Sequence, residues 1–531
     1  MQTRTKGTHT REAQSMTIAV LISLAVCFPI AFWCLKLLYL IWWRPKTVEK
    51  ELRKQGIYGR PYRFLFGNLK EMMEMNKIAK SKPMPLHHDY TPRLNPLFYE
   101  LATTYKKLFL FWLGPIPRVT IMDPKLIREV LSNKSGEFRK PRISAFLKLF
   151  VTGLGTYDGE KWAKHRKILN PAFHMEKLKL MLGAFTQCTE DMTNRWDKLT
   201  GSTGSCELDI SQEFHSLTGD MLSKAAFGSN FEEGKLIFSL LREQCELIFT
   251  AKLAINVFPW LRFVPTKTNR RRLYIYNTVR SSLKGIIEKR EKEVQSGNAH
   301  NEDLLGLLMK SNQEEQQGNK DSKKGMSTED VIEECNSFYF AGQETTATLL
   351  TWTAIVFTMH PDWQDKARKE VLEIIGKDEP KFDQLNQLKI VTMILHEVLR
   401  LYPSGSLVRE TNKKTKLGDY TIPSGAQLLV PLQIIHRDTE AWGEDALIFN
   451  PERFSEGVSK AANDLMYFPF GWGSRICLGM NFAMIQVKLV LAKILQNYSF
   501  ELSPSYAHGP NMPALVLQPQ YGAPIIVRKL L

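Results

Sequence analysis

Residues 470–479, with the sequence FGWGSRICLG, constrain the fold of this chain more than any other segment. Two glycines flank Trp472, and glycine permits a tight turn with little side chain, so that backbone can pass close to a flat molecule. Cys477 follows this turn and precedes an apolar stretch, residues 478–498, that predicts a helix. A cysteine at a helix N-terminus favours the thiolate, because the helix dipole and the unpaired N–H groups are positive there. Such a thiolate, with Arg475 two residues before it, is suited to bind haem iron from one side.

A buried structural cysteine is the alternative interpretation of Cys477. It explains neither the two glycines nor Arg475, so we favour the ligand. The other six cysteines are scattered along the chain at positions 27, 34, 188, 206, 245 and 335. With Cys477 the chain has seven cysteines, an odd number without clusters. This pattern argues against a disulfide scaffold and indicates a reducing compartment.

An apolar run near the N-terminus predicts a membrane anchor. Residues 16–35 are apolar, and after Lys36 the apolar character continues to Trp43. Roughly 20 such residues span a bilayer as a helix. More basic residues follow the run than precede it, which places the body of the chain on the cytosolic side. A cleaved signal peptide is the alternative, but no small-residue cleavage site follows the run.

The chain is therefore expected to divide into four parts. We predict an N-terminal tail at 1–15, a transmembrane anchor at 16–43, a basic linker and hinge at 44–70, and a catalytic domain at 71–531. The net charge of +16 suits nucleic acid, an anionic membrane surface or an acidic protein partner. Neither a zinc-finger spacing nor an RNA-binding aromatic signature is present in the sequence, so we expect no nucleic acid and favour the membrane or a protein.

Helical periodicity dominates the body, which we expect to be mainly α with a minor β portion. Ser327 and Asp330 form a capping-box pattern that predicts a helix as far as His360, with further helices at 362–376 and 384–400. Short strands are predicted at 108–122, 416–422, 427–431 and 514–527. Residues 311–324 lack apolar side chains and predict a solvated loop.

The long helix carries an unusual run at its middle, AGQETT at residues 341–346. Glycine lowers helix stability by roughly 1 kcal/mol, and threonine competes for backbone carbonyls. We expect a local defect there that opens a groove for a diatomic ligand and water. A kinked helix without any chemistry is the alternative for this motif taken alone.

Two further spacings place charged side chains together. Glu397 and Arg400 lie three residues apart among apolar neighbours, so their side chains can meet in a partly buried pair. Trp162 and Arg166 lie four residues apart on a basic helix, where a guanidinium can bind a carboxylate in bidentate fashion. The lysines of the same helix, at positions 161, 164 and 167, are predicted to be exposed and able to dock an acidic partner.

Together these motifs resemble the cytochrome P450 family. Residues 470–479 match its haem signature F-x-x-G-x-R-x-C-x-G at every fixed position, and AGQETT resembles its oxygen-activation motif. The resemblance implies the P450 fold preceded by a single N-terminal transmembrane helix, and haem b with Cys477 as the axial ligand of its iron. It also implies cofactor-binding roles for Arg475, Trp162, Arg166, Arg409, Phe470, Gly471 and Gly479, proton delivery by Thr345 and Glu344, and structural roles for Glu397, Arg400 and Arg453.

Residues 153–174 further resemble a plant clan of this family, which oxidises terpenoids, steroids and isoprenoid-derived hormones. The resemblance implies a monooxygenase of the endoplasmic reticulum membrane that hydroxylates a small lipophilic substrate, with electrons from NADPH through a flavoprotein reductase. Substrate contacts are expected at 142–150, 338–341, 404–408 and 513–517. Inactivation of a hormone, a reductase-independent haem-thiolate isomerase or dehydratase, and a non-catalytic haem protein are the alternatives.

Overall fold

The described part of the chain begins with a continuous helical segment. Helix α1 spans Lys6–Leu38, a π-helical turn spans Tyr39–Trp43, and helix α2 spans Arg44–Lys54. A stretch of residues within Leu24–Lys54 has a mean hydropathy of 2.1 and is exposed. This helix is long and apolar enough to cross a membrane. The computed structural model describes residues 6–141, 152–228, 231–250, 264–296, 303–317, 325–461, 466–513 and 516–530.

The segment predicted as a basic linker begins as helix α2. Its apolar side chains Val48 and Leu52 are buried in the main core, whereas its charged side chains pair locally, as Arg53 does with Glu49 at 3.1 Å. Tyr62 donates a hydrogen bond to the Ile41 carbonyl in the π-helical turn. The apolar helix is thus joined to the body by packed helix, and a turn follows only at Gln55.

Helices make up most of the body. In chain order they are α3 Leu69–Ala79, α4 Thr91–Leu94, α5 Pro96–Tyr105, α6 Pro124–Ser132, α7 Gly159–Leu169, α8 Met175–Leu180, α9 Leu182–Thr200, α10 Ile210–Phe227, α11 Phe231–Thr250, α12 Lys267–Gln295, α13 Leu304–Gln317, α14 Thr328–Met359, α15 Pro361–Ile374, α16 Phe382–Gln387, α17 Lys389–Leu401, α18 Leu432–Ile435, α19 Thr439–Trp442 and α20 Met480–Asn497.

Helix α14 runs through the centre of the body. The predicted capping box is confirmed: the Ser327 side chain accepts from the Asp330 N–H, and the Asp330 carboxylate accepts from the Ser327 N–H. Residues 346–357 of the helix are buried, and Trp352 and Phe357 have no exposed surface. Helices α10, α17 and α20 pack around it, so residues near its middle are held from several sides.

Short strands form the minor β portion. They are β1 Leu108–Leu113, β2 Ile116–Ile121, β3 Phe138–Arg139, β4 Ser205–Asp209, β5 Leu407–Thr411, β6 Thr415–Leu417, β7 Tyr420–Ile422, β8 Gln427–Val430, β9 Tyr498–Leu502, β10 Pro510–Asn511, β11 Gln518–Pro519 and β12 Pro524–Lys529. The largest sheet has the order β1-β2-β8-β5-β3, in which β2 and β8 are parallel and the other pairs antiparallel. A second sheet has the order β4-β12-β9.

The predicted helix at 384–400 and the predicted loop at 311–324 differ from the structure. Residues 384–400 form two helices, α16 and α17, because the chain leaves helical geometry at Leu388 and the Glu370 carboxylate accepts from the N–H groups of Ile390 and Val391. Residues 311–317, predicted as part of a solvated loop, continue helix α13; residues 318–324 lie outside the described residues. Glutamate and glutamine form helices readily, so a polar run alone does not predict a loop.

Candidate active site

The loop before helix α20 presents Cys477. Gly471 and Gly473 adopt positive φ angles of 77° and 70°, a region that glycine occupies at little cost. A Cβ atom on Gly473 would lie 2.5 Å from the Leu131 carbonyl oxygen, so glycine is required there for space as well. The Cys477 N–H donates to the Phe470 carbonyl at 2.8 Å, which closes the loop.

The Cys477 thiol is accessible although protein surrounds it. Its side chain is exposed, yet burial raises its pKa, against a smaller lowering by the Gly479 N–H and by the charge of Arg166. A group that is accessible and still shielded from bulk water lines an internal space. Helix α20 begins at Met480, two residues later than predicted, and burial outweighs the expected support of the thiolate by the helix end. A metal cation bound to the sulfur would deprotonate it outright.

Trp162 and Arg166 of helix α7 both reach the cysteine loop. The Arg475 guanidinium lies 4.4 Å from the centre of a Trp162 ring, and Arg166 donates to the Ile476 carbonyl at 2.9 Å. Arg475 also donates to the Tyr157 carbonyl at 2.9 Å. The structure thus brings Trp162, Arg166 and Arg475, three of the predicted haem-binding residues, together beside Cys477.

Arg409 and Lys140 add two more cations on this side. Arg409, on strand β5, is buried, and burial lowers its pKa. Lys140 follows strand β3; burial, together with the charges of Arg409 and Arg475, lowers its pKa to about 7. Arg475 pairs with the Asp158 carboxylate, so these three basic side chains still leave an excess of positive charge, and that excess fits the two carboxylates of haem. Lys140 was not among the predicted site residues, and its only signal in the sequence is the basic run at 139–142.

The accessible thiol and the nearby cations fit haem. Cys477 would ligate the iron, while Arg166, Arg409, Arg475 and Lys140 are placed to bind its carboxylates. Gly479 supports the fit, because no atom lies within 4 Å of the Cβ that an alanine there would carry.

Gly342 has a different role from the one predicted. A Cβ atom at this position would lie 2.9 Å from a methyl carbon of Leu222 on helix α10. The glycine therefore allows helices α10 and α14 to pack closely, and it faces α10. The expected groove for a small ligand does not follow from this residue.

Thr345 lies one turn after Ala341. Its hydroxyl donates to the Ala341 carbonyl at 2.6 Å, a local bond of the kind that bends helices. Ala341 is exposed within an otherwise packed region. Residues four apart share a helix face, so Thr345 lies on the same face as this exposed alanine.

Glu344 contacts two residues that the sequence analysis missed. Its carboxylate oxygen accepts from Gln518 at 2.8 Å and lies 3.2 Å from His215 Nε2. Burial alone would raise the pKa of Glu344, but the hydrogen bond and charge of His215 outweigh it and lower the pKa. His215 lies on α10 and Gln518 on β11, and their spacing in the sequence carries no signal of the contact.

Glu397, Arg400 and Arg453 meet in the core as predicted. Arg400 donates two hydrogen bonds of 2.7 Å to Glu397, and both side chains are fully buried. Arg453 approaches the same carboxylate at 3.6 Å. Arg400 also donates to the carbonyls of His436, Ala446 and Ile448. The cluster thereby ties helix α17 to the segment that leads toward the cysteine loop.

The basic face of helix α7 is less free than predicted. Lys161 pairs with Asp330 at 2.8 Å and Lys167 with Glu315 at 2.7 Å. Both carboxylates belong to this chain, so these two lysines already have partners for their charge. Both lysines are exposed, as predicted, and their docking of an acidic protein stays a prediction.

The segments predicted to contact substrate are described in part. Residues 142–150 and 514–515 lie outside the described residues. Phe338 packs against Phe173, with ring centres 5.6 Å apart, and Val516 and Leu517 are buried. Residues 404–408 are accessible to various degrees.

Comparison with known proteins agrees with this geometry. The cytochrome P450 family model matches residues 86–526. Cytochrome P450 CYP72A616 of Paris polyphylla is 52% identical over 92% of this chain and 95% of its own. Secologanin synthase 1 of Catharanthus roseus is 46% identical, covering 97% and 98% of the two chains. The 11-oxo-beta-amyrin 30-oxidase of Glycyrrhiza uralensis is 47% identical, covering 98% and 100%. The chain belongs to the cytochrome P450 family.

Proposed function

We propose that this P450 monooxygenase oxidises a lipophilic terpenoid or steroid-type substrate, with dioxygen and with electrons from NADPH through a flavoprotein reductase. The observation that carries the haem-dependent part is the Cys477 thiol, accessible within the protein and close to Arg166 and Arg475. Bound haem supplies the iron centre at which dioxygen is activated.

The chain itself contributes binding and proton handling. Cys477 ligates the iron, and Arg166, Arg409 and Arg475 bind the haem carboxylates by charge-assisted hydrogen bonds. Thr345 presents a hydroxyl on the exposed face of helix α14, and Glu344 holds an ionised carboxylate one residue before it. We assign these two residues to proton delivery, because the activation of dioxygen consumes protons that a buried site must receive through side chains or water.

The relatives support the substrate class. One is named as an oxidase of 11-oxo-beta-amyrin at position 30 and another as a synthase of secologanin. Both names concern terpenoids, and this chain shares nearly half of its residues with each. We therefore assign the substrate of this chain to the terpenoid or steroid skeletons. Repeated oxidation at one carbon is a second outcome of the same proposal.

The exposed apolar helix within Leu24–Lys54 supports a membrane location. We propose the endoplasmic reticulum, with the catalytic domain in the cytosol, because the basic residues after the helix favour the cytosolic side.

Microsomes that contain the full chain and a plant reductase test the proposal. They are incubated with and without NADPH on a panel of triterpenoid, steroid, iridoid and hormone substrates, and products are identified by mass spectrometry. We expect an oxygenated terpenoid or steroid product that depends on NADPH. Turnover of a hormone alone would support the inactivation alternative, product without NADPH would support an isomerase, and a full panel without product would contradict the proposal.

A further inference from the structure

His215 is buried on helix α10, and both of its ring nitrogens face hydrogen-bond acceptors. Nδ1 lies 2.6 Å from the Ser211 carbonyl, and Nε2 lies 3.2 Å from the Glu344 carboxylate. A neutral imidazole has one N–H, whereas the imidazolium has two. Only the charged ring donates to both acceptors while Glu344 is ionised, so this geometry fits an imidazolium–carboxylate pair.

The groups around the pair act in both directions, and their balance favours the same charge state. Gln518 on strand β11 donates to the same carboxylate oxygen at 2.8 Å. The charge of Arg242 on helix α11 acts on both members and is unfavourable to His215. Burial opposes both charges, but the hydrogen bond and charge of Glu344 outweigh it, so that the pKa of His215 is raised.

Further hydrogen bonds between helices α10 and α14 hold the pair in place, and they do not involve the charges of His215 and Glu344. Gln343 donates to the His215 carbonyl at 3.0 Å, and Thr218 donates to the Gln343 carbonyl at 3.2 Å. A Cβ atom on Gly219 would lie 2.9 Å from the Gln343 amide. Helices α10 and α14 are therefore held together at this level, and His215 stays within reach of Glu344.

We propose that His215 is a positioning residue that holds Glu344 as a carboxylate and replaces the proton that Glu344 passes on during turnover. The inference rests on the proposed role of Glu344 in proton delivery. A proton moves from His215 Nε2 to Glu344 Oε2, which leaves a neutral imidazole and a carboxylic acid. The acid gives this proton toward the Thr345 face, and the imidazole takes a new proton from solvent. No electrons change hands in these steps.

The variant His215→Gln separates the two roles of His215, which are to hold Glu344 in place and to supply a proton to it. Glutamine can still donate a neutral hydrogen bond to Glu344, but it has no proton to release. The matched control is Gln518→Met, which removes a hydrogen bond to the same carboxylate oxygen and leaves the imidazolium in place.

The first measurement is the thermal midpoint of the haem-loaded protein against pH. A His with a raised folded pKa stabilises the fold below its unfolded pKa and loses that contribution as pH rises through the folded pKa. We expect His215→Gln to lower the midpoint by about 3 °C or more near pH 6.5 and by progressively less at higher pH. Gln518→Met should lower the thermal midpoint by the same amount at every pH. A His215→Gln deficit that does not change with pH would overturn the ion pair.

The second measurement is the hydrogen peroxide released per NADPH consumed, with the reductase, across about pH 6 to pH 9. Failed proton delivery diverts reduced oxygen to side products, so we expect the wild type to release more peroxide as pH rises through the His215 pKa. His215→Gln should release a high and constant fraction, with product formation reduced about tenfold or more. A variant that keeps the wild-type pH profile would overturn the proton-donor role.

The two measurements distinguish the inference from the proposed function. If the wild type consumes no NADPH with the reductase, the proposed function fails, while the thermal measurement still decides the ion pair. If NADPH is consumed and the thermal signature is present but the peroxide profile is unchanged in His215→Gln, the inference alone fails.

Discussion

The Arg475 guanidinium stacks 4.4 Å from the centre of a Trp162 ring, which joins the cysteine loop to helix α7. One turn later on the same helix, Arg166 donates to the carbonyl of Ile476, the residue before Cys477. The thiol and the nearest cations are therefore positioned by one set of contacts. A change on α7 should affect haem retention without any change to the cysteine.

Arg166→Leu should weaken haem binding. It removes one charge-assisted hydrogen bond to the loop and one cation for the haem carboxylates, and such bonds contribute about 1.5–3 kcal/mol. We expect haem to transfer to excess apomyoglobin about tenfold faster or more. The control is Lys167→Leu on the same helix, whose exposed side chain pairs with Glu315. Equal transfer rates for the two variants would contradict the assignment.

Arg400→Leu should strongly destabilise the protein. It leaves the fully buried Glu397 carboxylate without its bidentate partner, and breaking a buried pair costs about 3–5 kcal/mol. We expect a protein that is purified without haem, as judged by absorbance. Lys460→Ala breaks an exposed pair with Glu456 and should change the free energy of unfolding by less than about 1 kcal/mol. A full complement of haem in the Arg400 variant would refute the structural role.

Gly473→Ala and Gly183→Ala should differ sharply in their effect on the fold. At Gly473 the φ angle is +70° and a Cβ atom would meet the Leu131 carbonyl at 2.5 Å, so strain of about 1–3 kcal/mol and a backbone shift are expected. At Gly183, in the first turn of helix α9 and away from the cysteine loop, the backbone is ordinary and a Cβ atom meets no atom within 4 Å. Circular dichroism melting should show a lower midpoint for the first variant and a near wild-type midpoint for the second. Similar midpoints would contradict the account of the loop.

His436 should make the protein sensitive to acid. Its Nε2 accepts from the Phe468 N–H at 3.1 Å, and burial, with the charges of Arg400 and Arg437, lowers its pKa to about 3. The unfolded chain binds this proton at a pKa near 6.5, so the free energy of unfolding falls by up to about 1.4 kcal/mol per pH unit below that value. Urea unfolding between about pH 4 and pH 6.5 should show a smaller slope for His436→Gln, whose side-chain oxygen can still accept the bond. An identical slope would rule out this contribution.

Local sequence signals predicted the parts of the fold that local forces determine. The capping box at Ser327 and Asp330 fixed the start of helix α14, and Pro361 fixed its end. The break at Leu388 was missed because the cap comes from Glu370, on another helix. Strand β4 was missed because β12, far along the chain, supplies its pairing partner.

The candidate site also contains residues that local motifs predicted and residues that depend on distant partners. The motif around Cys477 and the spacing of Trp162 and Arg166 identified side chains that the structure brings together. Gly342 allows the close contact of helix α14 with Leu222. A sequence motif does not indicate which neighbouring side chain requires a glycine. Lys140 and His215 were missed because their partners come from distant elements.

The absorbance of the reduced protein with carbon monoxide tests most directly that Cys477 ligates haem. The account predicts that the wild type shows the red-shifted Soret band of a haem-thiolate protein and that Cys477→Ala lacks it. Cys335→Ala, which changes a buried cysteine of helix α14, should keep the band. A red-shifted band that persists in Cys477→Ala would contradict the account.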